Sequence, residues 1–118
     1  MGDEQPHLVK CKVNEVDVVE FSDRKILEEL SIREIEDELF ALVATTPTIK
    51  LLLDFSKVEH LSSAALGMLI NLQKEVKKQS GKLKLAQINP QIYEVFKITR
   101  LNKHFDIHET TDQAIGQF

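Results

Sequence analysis

The chain has 118 residues, enough for one domain that withdraws about two-thirds of its unfolded surface from water and too few for two. With 42% hydrophobic and 29% charged residues, and only three prolines and four glycines, it is neither disordered nor collagen-like. Its net charge of −4 lacks the basic excess of a nucleic-acid footprint, so no direct nucleic-acid contact is expected.

Met1 to Pro6 reads as a flexible tail (residues 1–6) ahead of a single domain over residues 7–118. Acidic residues stand there where a secretory signal needs positive charge, and the longest apolar runs fall well short of the roughly 20 residues of a membrane span. The expectation is a cytoplasmic protein with no membrane insertion. Alternation of Leu8, Lys10 and Lys12 with Val9, Cys11 and Val13 predicts a strand, and Val16 to Phe21 after Asn14-Glu15 completes a hairpin. Cys11, the one cysteine, has no disulfide partner and no zinc-site neighbours, and is expected to be a buried thiol.

A connection through Ile26 to Leu30 leads to Ser31, which with Glu34 has the spacing of a capping box. The helix it opens carries Ile32, Ile35, Leu39 and Leu42 on one stripe and stops near Pro47. Ile49 to Phe55 is a nearly continuous apolar run of strand length, the pattern of a central strand covered on both faces. Ser62 or Ser63 then caps a second helix with Leu66, Leu69, Ile70, Gln73 and Val76 on a shared face, ended by Gln79-Ser80-Gly81. Lys82 to Ile88 reads as a strand, Pro90 opens a helix with Ile92, Val95 and Phe96 inward, His104 to His108 alternates as a last strand, and a short helix starts about Thr110. Strands joined through helices imply parallel pairs, with the opening hairpin as an antiparallel edge.

The candidates for chemistry are few. His104 and His108 on one strand stand roughly 13 Å apart, too far to share an ion. The acidic residues from Glu28 to Glu38 fit the solvated face of a helix. No Gly-x-Ser-x-Gly elbow surrounds Ser62 and Ser63, although His60 is near in sequence, and no phosphate-binding glycine loop exists. Neither catalysis nor a cofactor is expected. The basic run from Lys74 to Lys84 has two readings, compensation of a helix dipole or a phosphate-binding patch.

The informative segment is Leu53-Asp54-Phe55-Ser56-Lys57-Val58-Glu59-His60-Leu61-Ser62-Ser63-Ala64-Ala65-Leu66-Gly67. It delivers two hydroxyls to a helix N-terminus, where unpaired N–H groups and the positive dipole end tolerate an added phosphate. Phosphorylation there adds about −1.5 to −2 charges and repels a partner without unfolding the domain. This segment resembles the signature of the STAS domain family of anti-sigma factor antagonists: an apolar strand ending in Asp, a short loop, then a Ser-rich turn into Leu-Gly. Asn89-Pro90 and Phe96 to Leu101 resemble a later segment of the same family, and the order of elements matches over nearly the whole chain.

The resemblance implies an α/β STAS fold, with a mixed four- to five-stranded β-sheet and about four helices mostly packed on one face. It places Ser63 on the serine that a partner kinase phosphorylates. Glu28 stands where phosphorylated members commonly carry an Asp, and Ala65 replaces a Gly. Glu28, Ser62, Ser63, Ala64, Ala65 and Met68 are the expected partner contacts, with a place in the core as the equal alternative for Met68. The implied partners are an anti-sigma factor with serine kinase activity, which supplies ATP and magnesium, and a serine phosphatase; a homodimer stays open. Regulation of sigma-factor-dependent transcription is the implied function, and a STAS scaffold in a stress-signalling or membrane transport complex is the alternative.

Overall fold

The computed structural model describes residues 6–118, so of the expected tail only Pro6 lies among the described residues. Strands β1 (Leu8–Val13) and β2 (Val16–Phe21) form the hairpin, and a two-residue strand β3 (Lys25–Ile26) leads into α1 (Glu29–Thr45). β4 (Lys50–Asp54), β5 (His60–Leu61) and α2 (Ser63–Lys78) follow. β6 (Lys82–Ala86), α3 (Pro90–Ile98), a 3-10 turn (Leu101–Lys103), β7 (Asp106–His108) and α4 (Thr111–Gly116) complete the order. The main sheet runs β1-β2-β4-β6-β7. β1 is antiparallel to β2, and every other pair in it is parallel.

β4 is the middle strand, and Leu51, Leu52 and Leu53 are each fully buried. Leu51 and Leu53 join the large core beneath α1 and α2, while Leu52 packs with Val16, Val18, Ala86 and Ala114 on the side covered by α4. Each such leucine contributes about 1.5–3 kcal/mol by leaving water. The sheet is thus covered on both faces, by the long helices on one and the short α4 on the other, as the mixed α/β expectation required. Among the described residues, no helix is long and apolar enough to cross a membrane.

Several local expectations are corrected. Ser31 is not a cap: α1 starts at Glu29, because the pairing of β3 ends at Ile26 and the Glu28 carbonyl already accepts the Ile32 N–H at 3.0 Å. The buried stripe of α1 closes on Val43, with Leu42 only half-buried. In α3, Ile92 and Phe96 face inward while Val95 is 41% exposed, one step around the helix from Phe96. Cys11 is exposed, because it lies opposite Val18 on the edge strand while α4 lies over β4, β6 and β7. That edge carries Lys10 and Lys12, which discourage pairing with another chain. The β3–β5 ladder was not foreseen, since two residues are too few for a periodic signal.

The stop after α2 also works differently from a glycine cap. Ser80 takes the left-handed backbone (φ 60), and the Gly81 N–H reaches back to the Val76 carbonyl at 2.9 Å. Glycine is needed at 81 for space: a Cβ there would lie 2.7 Å from the Ile49 carbonyl oxygen. Gly67, in the middle of α2, has nothing within 4 Å of such a Cβ. Gly81→Ala is therefore expected to cost about 1–3 kcal/mol, and Gly67→Ala to add about 0.5–1 kcal/mol through helix propensity. Urea unfolding checks both: a lower midpoint for the first and a higher one for the second are expected, and an unchanged midpoint for Gly81→Ala contradicts the close approach.

Candidate functional site

The site grows from the end of β4. Asp54 turns the chain by accepting the Ser56 N–H on Oδ1 at 2.8 Å, and the buried Val58 pins the loop that follows. Asn89 holds the same loop from the other side: its Nδ2 donates to the Val58 carbonyl at 3.1 Å while its Oδ1 caps α3 by accepting the Ile92 N–H at 2.8 Å. The loop then enters β5, which pairs in parallel with β3, Lys25 opposite His60 and Ile26 opposite Leu61. The N–H groups of Glu59 and His60 donate to the Arg24 carbonyl, that of Ser62 donates to the Ile26 carbonyl, and Arg24 Nε meets Glu59 Oε2 at 3.2 Å.

This small ladder sets the geometry of two helix starts. Glu28 and Ser63 each lie two residues beyond the paired Ile26 and Leu61, so α1 and α2 begin side by side at one end of the molecule. Glu28 is the N-cap residue of α1, exposed, with no side-chain capping bond. Ser62 is the N-cap of α2, and its Oγ accepts the Ala65 N–H at 3.1 Å. Ser63 is the first helical residue, and it is exposed. Among the described residues no side chain is hydrogen-bonded to its hydroxyl.

The expected contact residues divide. Glu28, Ser63 and Ala64 are exposed and Ser62 is half-buried, so all four bear on this surface. Ala65 is fully buried and Met68 is 4% exposed, so neither side chain belongs to a docking surface; both face the core, in the first and second turns of α2. Because Ala65 points inward, its methyl in place of a glycine does not obstruct an approaching partner. The structure adds Leu27 and Leu30, 48% and 67% exposed, on either side of Glu28. Their signal in the sequence was their position off the Ile32–Ile35–Leu39 stripe.

His60 is exposed on β5 and, among the described residues, forms no hydrogen bond to Ser62 or Ser63. Among the described residues, no group of three or more His, Cys, Asp or Glu side chains is arranged to hold a metal. A phosphate on Ser63 would lie against the free N–H groups and positive dipole end of α2, with the Glu28 carboxylate on the adjoining helix start.

The STAS domain family model matches residues 25–114. A Thermotoga neapolitana protein, provisionally named an anti-sigma factor antagonist, is 33% identical over 68 residues, 58% of this chain, and the match spans only 60% of that relative's length. An anti-sigma factor antagonist from Mycobacterium paratuberculosis superposes with a TM-score of 0.80 at 26% identity, covering 93% of this chain and 91% of its own. SpoIIAA of Bacillus, solved unphosphorylated and phosphorylated, shares the fold at TM-scores of 0.68 and 0.69 with 16% identity, over 93% of this chain and 96% and 97% of those chains. With its model covering most of the sequence, including β4 and the serines at the start of α2, the STAS domain family is the one to which this chain belongs.

Proposed function

We propose that the chain is an anti-sigma factor antagonist, a regulatory binding protein rather than an enzyme, switched at Ser63. In its unmodified form it binds an anti-sigma factor that is also a serine kinase and so frees a sigma factor; phosphorylation of Ser63 releases it, and a serine phosphatase resets it. This reading places the chain in the cytoplasm, with residues 7–118 as one STAS domain. The docking surface is Glu28, Ser62, Ser63 and Ala64, with Leu27 and Leu30 supplying apolar contact.

One observation carries the reading: the two adjacent serines have separate work. Ser62 spends its hydroxyl on the cap, whereas Ser63 is exposed and uncommitted. A group transferred to Ser63 therefore disturbs no bond that holds α2. Names of similar proteins support the general role, and the solved phosphorylated form of SpoIIAA supports the tolerance of this fold for modification. A phosphate changes the local charge by about −1.5 to −2, enough to turn a docking surface repulsive while leaving the fold intact.

Ser62→Ala is expected to cost about 1 kcal/mol by loss of the cap, and Ser63→Ala to stay within about 0.5 kcal/mol of the parent; urea midpoints decide. Equal losses at both positions would contradict the division of roles. For the partner, Ser63→Ala is expected to retain binding and Ser63→Asp to weaken it by about tenfold or more. Binding is measured to the anti-sigma factor recovered with the unmodified chain from its native cell. Equal affinity of the two variants would overturn the charge switch and favour a constitutive scaffold.

A further inference from the structure

The site at Ser63 uses the starts of α1 and α2 and leaves the outer face of the two helices unassigned. The lysines between positions 74 and 84 do not form one patch. Lys84 lies on the α4 side of the sheet, paired with Asp106 and 5.2 Å from the Phe118 ring, whereas Lys77 and Lys78 sit in the last turn of α2, where cations offset the negative dipole end. Lys74 and Lys78 also border an open groove of about 510 Å³ between the two long helices, whose wall on the α1 side includes Glu36, Asp37 and Phe40.

The two walls carry opposite charge that the chain does not pair across the groove. Among the described residues Glu36, Asp37 and Lys74 have no ion-pair partner, and Lys78 reaches only Glu75 of its own helix, at 4.0 Å. Arg33, one turn before Asp37, is taken by Glu29 at 3.5 Å, so the α1 wall stays acidic. Phe40 is half-buried and adds apolar surface between the walls. Small residues stand beside these charges, Ala41 and Ala44 exposed on α1 and Gly67 on α2 with nothing within 4 Å of an added Cβ, so a second helical layer can come close. Because α1 and α2 begin at the same end and run side by side, a two-fold axis along the helices lays α1 of one copy over α2 of another at the same height, acidic wall on basic wall, twice. An axis across the helices lays acid on acid instead.

We propose that the outer face of α1 and α2 docks on a second copy of this chain about that axis, Glu36 and Asp37 of each copy meeting Lys74 and Lys78 of the other. Helices of 17 and 16 residues, each about 25 Å long and about 10 Å across, offer a footprint of about 500 Å² per copy. That is the low end for a specific interface, so the dimer is weak and leans on its charges. It stands whether or not Ser63 is a switch. Sedimentation velocity of the full chain from about 10 μM to about 1 mM is expected to show a monomer–dimer equilibrium with a dissociation constant of about 0.1 mM at low salt, weakened about tenfold in about 0.5 M salt. Asp37→Lys and Lys74→Glu, both on exposed side chains, are each expected to weaken self-association about tenfold or more by setting like charges face to face. An equimolar mixture of the two variants is expected to restore it, since every contact of the mixed dimer again joins opposite charges. A parent that stays monomeric, a dimer indifferent to either reversal, or a mixture no tighter than the single variants would each overturn the proposal.

Discussion

The burial of β4 on both faces is the constraint from which the rest follows. A strand with Leu51, Leu52 and Leu53 all withdrawn from water needs a sheet partner on each side and cover above and below. Parallel partners β2 and β6 supply the first. Parallel pairing in turn requires crossover connections, which bring helices over the faces. The loop leaving β4 must then rise over the sheet edge into α2, and this sends the Ser62-Ser63 pair to the end of the molecule where β3 and α1 also meet. The site is a consequence of the crossover that buries the strand.

At that end, two adjacent serines differ because a helix start treats neighbouring positions differently. The N-cap position has an extended backbone (φ −87, ψ 168 at Ser62), which turns its side chain back toward the Ala65 N–H. The next residue has entered the helix and points its hydroxyl to solvent. The same asymmetry governs Ala64 and Ala65, one exposed and one fully buried. On the proposed reading, the capping serine keeps α2 in place while its neighbour takes the phosphate, so the signal is a change of surface charge and not of fold. The Arg24–Glu59 pair, the Ile26–Leu61 register and the double role of Asn89 keep Ser63 and Glu28 in fixed relation.

The sequence was readable where long runs carry a period. The hairpin alternates over six residues, β4 is continuously apolar, and α2 repeats at three and four, so the sheet, the helices and the cap at Ser62 or Ser63 followed from pattern alone. The misses are short or set by tertiary contact. The β3–β5 ladder has two residues in each strand and no period to show. Ser31 with Glu34 satisfies the local rule for a helix start, but the ladder begins the helix three residues earlier, with Glu28 as its N-cap. Exposure of Cys11 depends on which strands α4 reaches, and burial of Ala65, like the choice of core over surface for Met68, on the rotation of α2 against the sheet; neither is encoded in local spacing.

The central claim is that a phosphate on Ser63 alters the docking surface and leaves the domain unchanged. The most direct test is to record amide spectra of the chain with and without phosphoserine at position 63, the modified form made by semisynthesis. The account predicts shifts confined to Glu28, to residues 60–66 and to their immediate neighbours in β3, with the amides of β4, β6 and the C-terminal half of α2 unmoved. Shifts spread through the sheet, or a loss of dispersion, would show that the phosphate acts on the fold, and the surface-charge mechanism would be wrong.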